Sequence, residues 1–160
     1  MQIHVASGTG HAPTAMAAYD AALADANLHN YNLVSVSSIV PADADVRVVD
    51  EAPDLGPAGN RLTVVQGRAD ATPSDAHETD RVSAALAWAT GPGPGLFYEA
   101  DGTDPDAVRE TVLEGLAAGA ELRGWTLDAE DSVVATAPTD EDAYTAAVVV
   151  AAYGESEPVA

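Results

Sequence analysis

The sequence predicts one folded domain of the α/β or α+β class, in which helices pack on a layered sheet. Its 160 residues suit a single domain, and apolar residues make up 47% of them, which is enough for a hydrophobic core. Segments with a helical spacing of apolar residues alternate with short runs rich in Val, Ile and Leu that are typical of strands. The acidic residues are spread among these runs, which favours a folded domain with an acidic surface over a disordered chain.

In the first half of the chain, residues 14–27 predict a helix, because four apolar residues would share one face. These residues are Met16, Tyr19, Leu23 and Ala26. The SGTGHAP segment before this helix predicts a loop. Residues 41–60, with their Pro, Gly and acidic residues, predict a long loop interrupted by one short strand. The strands predicted in this half span residues 2–6, 31–40, 46–49 and 61–69.

In the second half, residues 76–89 predict a helix with Ser74 or Asp75 as its cap. A second helix is predicted from Pro105, at its first turn, to about residue 118. Strands are predicted over residues 95–100, 121–136 and 144–153, the last because three consecutive valines favour a strand over a helix. The tail from residue 154 onward is expected to be loose.

The charge balance excludes several classes of function. The chain carries 26 acidic residues against six basic ones, a formal net charge of −20, and all six basic residues are arginine. Without lysine, a Schiff base with pyridoxal phosphate is excluded. Nucleic acid is not expected as a partner because phosphate binding needs clustered cations, and an acidic surface repels anionic membranes. This composition is typical of a protein that works in concentrated salt, which screens the self-repulsion.

Motifs for common active sites are missing from the sequence. There is no cysteine, so disulfides, thiolate nucleophiles and cysteine zinc sites are excluded. The four histidines lack the HExxH spacing, and no metal site is expected. The sequence has no phosphate-binding loop and no GxSxG elbow, and nothing in its spacing supports a Ser–His–Asp triad. We also expect no signal peptide, no membrane span and a cytoplasmic protein.

Four stretches, taken together, resemble one known family. The segment NLVSVSSIVP, residues 32–41, resembles the self-cleavage segment of the pyruvoyl-dependent arginine decarboxylases. Three others are similar to further segments of that family in the same order: AYDAALADANLHNYNL (18–33), GLFYEADG (95–102) and LRGWTLD (122–128). The resemblance covers most of residues 3–153. The chain departs from the family where Ala42 follows Pro41 and where Ala21 follows the helix aspartate.

The resemblance implies a fold, an activity and a prosthetic group. The fold would be a single-domain αββα sandwich, cleaved by itself between Ser37 and Ser38 into a β chain, 1–37, and an α chain, 38–160. Ser38 would become a pyruvoyl group, which accepts the electron pair left when carbon dioxide departs. The activity would convert L-arginine to agmatine, early in polyamine metabolism. The resemblance also implies a homotrimer with active sites between neighbours, and trimers that pair into hexamers are an open alternative.

Individual site residues follow from the resemblance. Asn32 would assist processing, and Glu99 would donate a proton to the substrate carbon after decarboxylation. That role requires a protonated carboxyl group near neutral pH, which burial of Glu99 in its strand would favour. Asp20 would pair with the substrate guanidinium, and Leu23 would lie beside the substrate methylenes. Arg123–Trp125 is expected to support packing.

Two alternatives remain at this point. The chain could be a pyruvoyl-dependent decarboxylase of another amino acid, in which case Asp20 would lose its expected role. It could also be a non-catalytic, acidic, oligomeric binding domain of the same fold, in which case replacing Ser38 would change nothing measurable.

Overall fold

Nine strands and two α-helices make up the fold, and the computed structural model describes residues 1–160. In chain order they are β1 Gln2–Ala12, α1 Ala15–Asp25, β2 Asn32–Ser35, β3 Ile39–Val40, β4 Asp45–Val48, β5 Arg61–Ala71, β6 Arg81–Thr90, β7 Gly95–Gly102, α2 Pro105–Arg123, β8 Ala129–Pro138 and β9 Tyr144–Tyr153. One 3₁₀ helix, Ser74–His77, precedes β6. Neither α-helix is long and apolar enough to cross a membrane.

The strands form two sheets that pack face to face. The five-stranded sheet has the order β2-β5-β9-β1-β4, and the four-stranded sheet has the order β3-β7-β6-β8. Helix α1 covers the outer face of the first sheet, and α2 covers the outer face of the second. The expected αββα sandwich, a mixed α+β fold in one domain, is therefore confirmed.

Strand β9 lies at the centre of the five-stranded sheet, antiparallel to both β1 and β5. Val149 and Ala151 face the core between the sheets, whereas Val148 and Val150 face α1. Burial on both faces explains why this strand is apolar throughout instead of alternating. The strand predicted over residues 144–153 is confirmed.

Strand β1 continues through the segment that the sequence predicts as a loop. Gly8 and Gly10 face α1, and a Cβ atom at Gly10 would lie 2.6 Å from the Ala18 carbonyl oxygen. The helix thus lies directly against the strand backbone, and the two glycines mark this close approach and not a turn. The loop prediction was wrong because a close helix contact and a turn both select glycine.

The helix predicted over residues 76–89 was wrong, since most of that segment is strand β6. Its alanines favour a helix by intrinsic propensity. However, β6 lies between β7 and β8, with Leu86 and Trp88 facing the core between the sheets and Ala85 facing α2. The small side chains on the outer face leave room for α2, and this tertiary packing overrides the propensity.

Two further differences lie at α2 and at the C-terminal tail. Helix α2 continues to Arg123 and ends at Gly124, which has a left-handed φ of 66°, so β8 begins later than predicted. The tail was expected to be loose, but Glu157 pairs with Arg61, the first residue of β5, through backbone and side-chain hydrogen bonds.

We predict that Gly10→Ala lowers the free energy of unfolding by about 2 kcal/mol, because the new methyl group meets the α1 backbone. The matched control is Gly93→Ala, since a Cβ atom there meets nothing within 4 Å. Urea unfolding in concentrated KCl measures both variants. Equal stability of the two would contradict the close contact between β1 and α1.

Candidate active site

Residues 31–40 form two short strands that belong to different sheets, and not the single strand predicted. Strand β2 pairs in parallel with β5, and β3 pairs antiparallel with β7. The connection Val36–Ser38 therefore crosses from the edge of one sheet to the edge of the other. Ser37 and Ser38 lie on this crossing, outside any strand.

Two backbone hydrogen bonds hold the crossing. The Ile39 N–H donates to the Ser37 carbonyl oxygen (N···O 2.9 Å), and the Phe97 N–H donates to the Ser38 carbonyl oxygen (2.8 Å). The Ser37 carbonyl belongs to the amide that joins Ser37 to Ser38. A donor on that oxygen would stabilise negative charge on it during nucleophilic attack on the carbonyl carbon.

A cavity of about 400 Å³ opens beside this amide. Its lining residues are Ser37, Ser38, Ile39, Leu96, Tyr98, Glu99 and Arg123. We call it the serine cavity. The structure therefore brings together three predicted site residues, namely the two serines and Glu99.

Glu99 reaches the serine cavity from β7, opposite Leu86 of β6. Its side chain is exposed in the single chain. The expectation that its own strand buries this carboxyl group was wrong for the single chain. Glu99 lies on the same face of β7 as the buried Phe97, towards Gly67 of β5, but its side chain stays exposed at the edge of the serine cavity.

Arg123 also lines the serine cavity, which the sequence reasoning missed. It is the last residue of α2, where one guanidinium nitrogen donates to the Gly119 carbonyl oxygen (3.0 Å). The guanidinium carbon lies 5.6 Å from the centre of the Trp125 ring. The residue thus supports packing, as expected, and in addition places a positive charge on the wall of the cavity that Ser38 and Glu99 also line.

A second cavity, of about 480 Å³, lies between α1 and β2. Its lining residues are Met16, Ala17, Tyr19, Asp20, Leu23, His29, Tyr31, Asn32, Leu33 and Gln66. We call it the aspartate cavity. It brings together Asp20 and Leu23, the two residues predicted to bind substrate.

Asn32 also lines the aspartate cavity, and not the serine cavity. Its side-chain amide donates to the Gly59 carbonyl oxygen (2.7 Å). The two cavities have no lining residue in common. A single chain therefore presents the predicted cleavage site and the predicted substrate site as two separate halves.

A row of polar side chains links the aspartate cavity to the strand before the serines. The Tyr19 hydroxyl donates to Gln66 Oε1 (2.7 Å), and Gln66 Nε2 donates to Ser35 Oγ (3.4 Å). The Arg68 guanidinium carbon lies 3.8 Å from the centre of the Tyr19 ring. These contacts hold one wall of the aspartate cavity in place. No sequence spacing reveals them, because they join separate elements.

Tyr153 approaches the crossing from the end of β9. Its hydroxyl donates to the Ile39 carbonyl oxygen (2.8 Å), and its ring lies 5.9 Å from that of Phe97. Burial raises the pKa of Tyr153 to about 12, so the phenol keeps its proton at neutral pH.

No group of three or more His, Asp or Glu side chains is arranged to hold a metal ion.

Comparison with known proteins gives one consistent family. The sequence model of the family described as pyruvoyl-dependent arginine decarboxylase matches residues 2–158. Proteins with that description from two strains of Halobacterium salinarum are each 57% identical over 162 residues, covering 99% of this chain and 97% of the relative. One from Methanopyrus kandleri is 34% identical, covering 91% of this chain and 90% of the relative.

Proposed function

This chain belongs to the pyruvoyl-dependent arginine decarboxylase family, and we propose that it converts L-arginine to agmatine and carbon dioxide. The observation that carries the proposal is the serine cavity, in which Ser37, Ser38 and Glu99 lie together. The chain has no lysine for the pyridoxal route, whereas a pyruvoyl group needs none.

The first step is cleavage of the chain by Ser38. Its Oγ attacks the Ser37 carbonyl carbon, the bond from that carbon to the Ser38 nitrogen breaks, and the hydroxyl proton ends on that nitrogen. Loss of the Ser38 Cα proton then breaks the Cβ–Oγ bond and releases Ser37 as a carboxylate. The enamine that remains gains a proton at Cβ while its nitrogen loses one, which gives an imine with a methyl group. Water then replaces the nitrogen, which leaves as ammonia, so residue 38 becomes a pyruvoyl group at the start of the chain 38–160.

The residues around Ser38 fit such a group. The Phe97 N–H holds the residue 38 carbonyl oxygen, and this amide is not broken by cleavage on the other side. A pyruvoyl group held there would supply an electron sink for the electron pair that remains after carbon dioxide leaves the substrate. Glu99, on the same strand as Phe97, would deliver a proton to the substrate carbon.

Arg123 would supply positive charge to the serine cavity. Cleavage creates a carboxylate at Ser37, and the substrate brings a carboxylate of its own. A guanidinium group favours such planar anions through paired hydrogen bonds. Arg123 is the only basic residue that lines this cavity.

The aspartate cavity suits the other end of arginine. The Asp20 carboxylate would pair with the substrate guanidinium, and Leu23, one turn further along α1, would contact its methylenes. Tyr19 and Gln66, which hydrogen-bond to each other, form the polar wall.

We further propose a homotrimer in which the aspartate cavity of one protomer faces the serine cavity of its neighbour. One arginine can contact both halves only if they meet, and in a single chain they are separate. Exposed apolar side chains occur beside both cavities, and their burial would drive association. They are Met16, Val34, Val36 and Ile39, with exposures of 71%, 45%, 42% and 37%. The mass of the assembly in solution would show whether trimers pair into hexamers.

The activity is tested by release of labelled carbon dioxide from carboxyl-labelled arginine in concentrated KCl. We expect release by the unaltered protein, loss of release with phenylhydrazine, which blocks carbonyl groups, and none from Ser38→Ala. Ser74→Ala, which is exposed and lines neither cavity, is the matched control and should retain full activity. Activity that survives complete carbonyl blocking would contradict the pyruvoyl mechanism. If the protein instead prefers an amino acid without a guanidinium group, only the proposed role of Asp20 is contradicted, and the pyruvoyl mechanism is not.

The shared site is tested by mixing two inactive variants, Asp20→Asn and Glu99→Gln. Each alone should lose activity about tenfold or more, since it lacks a charge-assisted contact or a proton donor. In co-refolded trimers with random composition, about a quarter of the interfaces would combine an intact Asp20 with an intact Glu99. We therefore expect the mixture to recover about that share of the activity. No recovery would mean that both residues act within one chain.

A further inference from the structure

Tyr153 is the side chain that holds the backbone next to Ser38 from the five-stranded sheet. We propose that Tyr153 is a positioning residue for self-cleavage, which keeps the Ile39 N–H directed at the Ser37 carbonyl oxygen. This inference rests on the proposed function, because it concerns the cleavage that forms the pyruvoyl group.

The first step of the argument concerns the peptide unit between Ser38 and Ile39. It is planar and trans, so its carbonyl and its N–H point to opposite sides. The Phe97 N–H holds the carbonyl, and the N–H on the other side donates to the Ser37 carbonyl oxygen. Rotation of this plane would therefore lengthen both hydrogen bonds together.

The second step concerns the next peptide unit, between Ile39 and Val40. The Tyr153 hydroxyl holds its carbonyl at 2.8 Å, and Val40 is buried and paired with Gly95. The two consecutive planes meet at the Ile39 Cα atom, so holding both of them fixes the φ and ψ angles there. Without the hydroxyl, the second plane loses one of its anchors.

Tyr153 is suited to be such an anchor. It ends the central strand β9, and its ring packs on Phe97, the residue whose N–H holds Ser38. Burial raises the pKa of the phenol to about 12, which keeps it a hydrogen-bond donor over the neutral and mildly alkaline range. Tyr153 thus connects the crossing to the rigid centre of the five-stranded sheet.

The chemical consequence follows from where charge develops. When Ser38 Oγ attacks the Ser37 carbonyl carbon, negative charge develops on the Ser37 oxygen, and the Ile39 N–H is the donor that contacts it in this chain. Asn32, whose amide is engaged with Gly59, is not at this oxygen. Tyr153 touches no reacting atom, so its effect passes through Ile39.

The first test follows conversion of the uncut chain into two fragments after refolding in concentrated KCl. Tyr153→Phe keeps the ring and removes the hydroxyl, and we expect cleavage to slow about three- to tenfold, the range that one neutral hydrogen bond contributes. Tyr144→Phe, at the other end of β9, should cleave at the unaltered rate. Gly10→Ala, which weakens the fold elsewhere, should also cleave at that rate, and this separates positioning from general stability.

The second test measures amide hydrogen exchange by NMR in the uncleavable Ser38→Ala background. Adding Tyr153→Phe should speed exchange of the Ile39 N–H. Exchange of the Val36 N–H, which donates to the Val64 carbonyl oxygen, should stay unchanged. If the Ile39 N–H exchanges at the same rate with and without the Tyr153 hydroxyl, the proposal is overturned.

The outcomes separate the two proposals. If the unaltered chain never cleaves, the proposed function fails, and this inference fails with it. If the unaltered chain and Tyr153→Phe cleave at the same rate, only the positioning role is overturned.

Discussion

The hydrogen bond from the Phe97 N–H to the Ser38 carbonyl oxygen is the constraint on which the site depends. It fastens the crossing between the two sheets to β7, the strand that also carries Glu99. Strand β7 is itself held between β3 and β6 and covered by α2. The proposed nucleophile and the proposed proton donor therefore share one support, and a shift of β7 would move both together. The proposed cleavage would leave this bond in place, since the bond involves the carbonyl side of residue 38.

The unusual charge of the chain is compatible with this site. Four of the six arginines pair with acidic side chains on the surface, where salt screens such pairs and each contributes little. The pairs are Arg47–Asp45, Arg61–Glu157, Arg68–Asp70 and Arg81–Asp104. Arg123 makes no such pair and lies at the serine cavity. A net charge of −20 would also attract a cationic substrate, although concentrated salt shortens the range of that attraction. The relatives from Halobacterium salinarum fit the expectation of a halophilic protein.

The sequence predicted those features of the fold that local pattern determines. The central strand 144–153 and the layered α+β architecture were confirmed because long apolar runs need burial on both faces. Strand β6 was missed because its alanines favour a helix until neighbouring strands and α2 surround them. At the site, resemblance to the family singled out the serines and Glu99. Tyr153 and Ile39 are 114 positions apart, so no sequence spacing could indicate that contact. The separation of Asp20 from Ser38 follows from no sequence spacing either, because it concerns how two cavities lie in three dimensions; only the resemblance, which implies active sites between neighbours, pointed to a divided site.

The most direct measurement is the intact mass of the protein under denaturing conditions after maturation in concentrated salt. The account predicts two polypeptides, one that ends at Ser37 and one that begins with a pyruvoyl group at position 38 and reacts with a carbonyl reagent. A single polypeptide of 16.2 kDa with an ordinary serine at position 38 would contradict it.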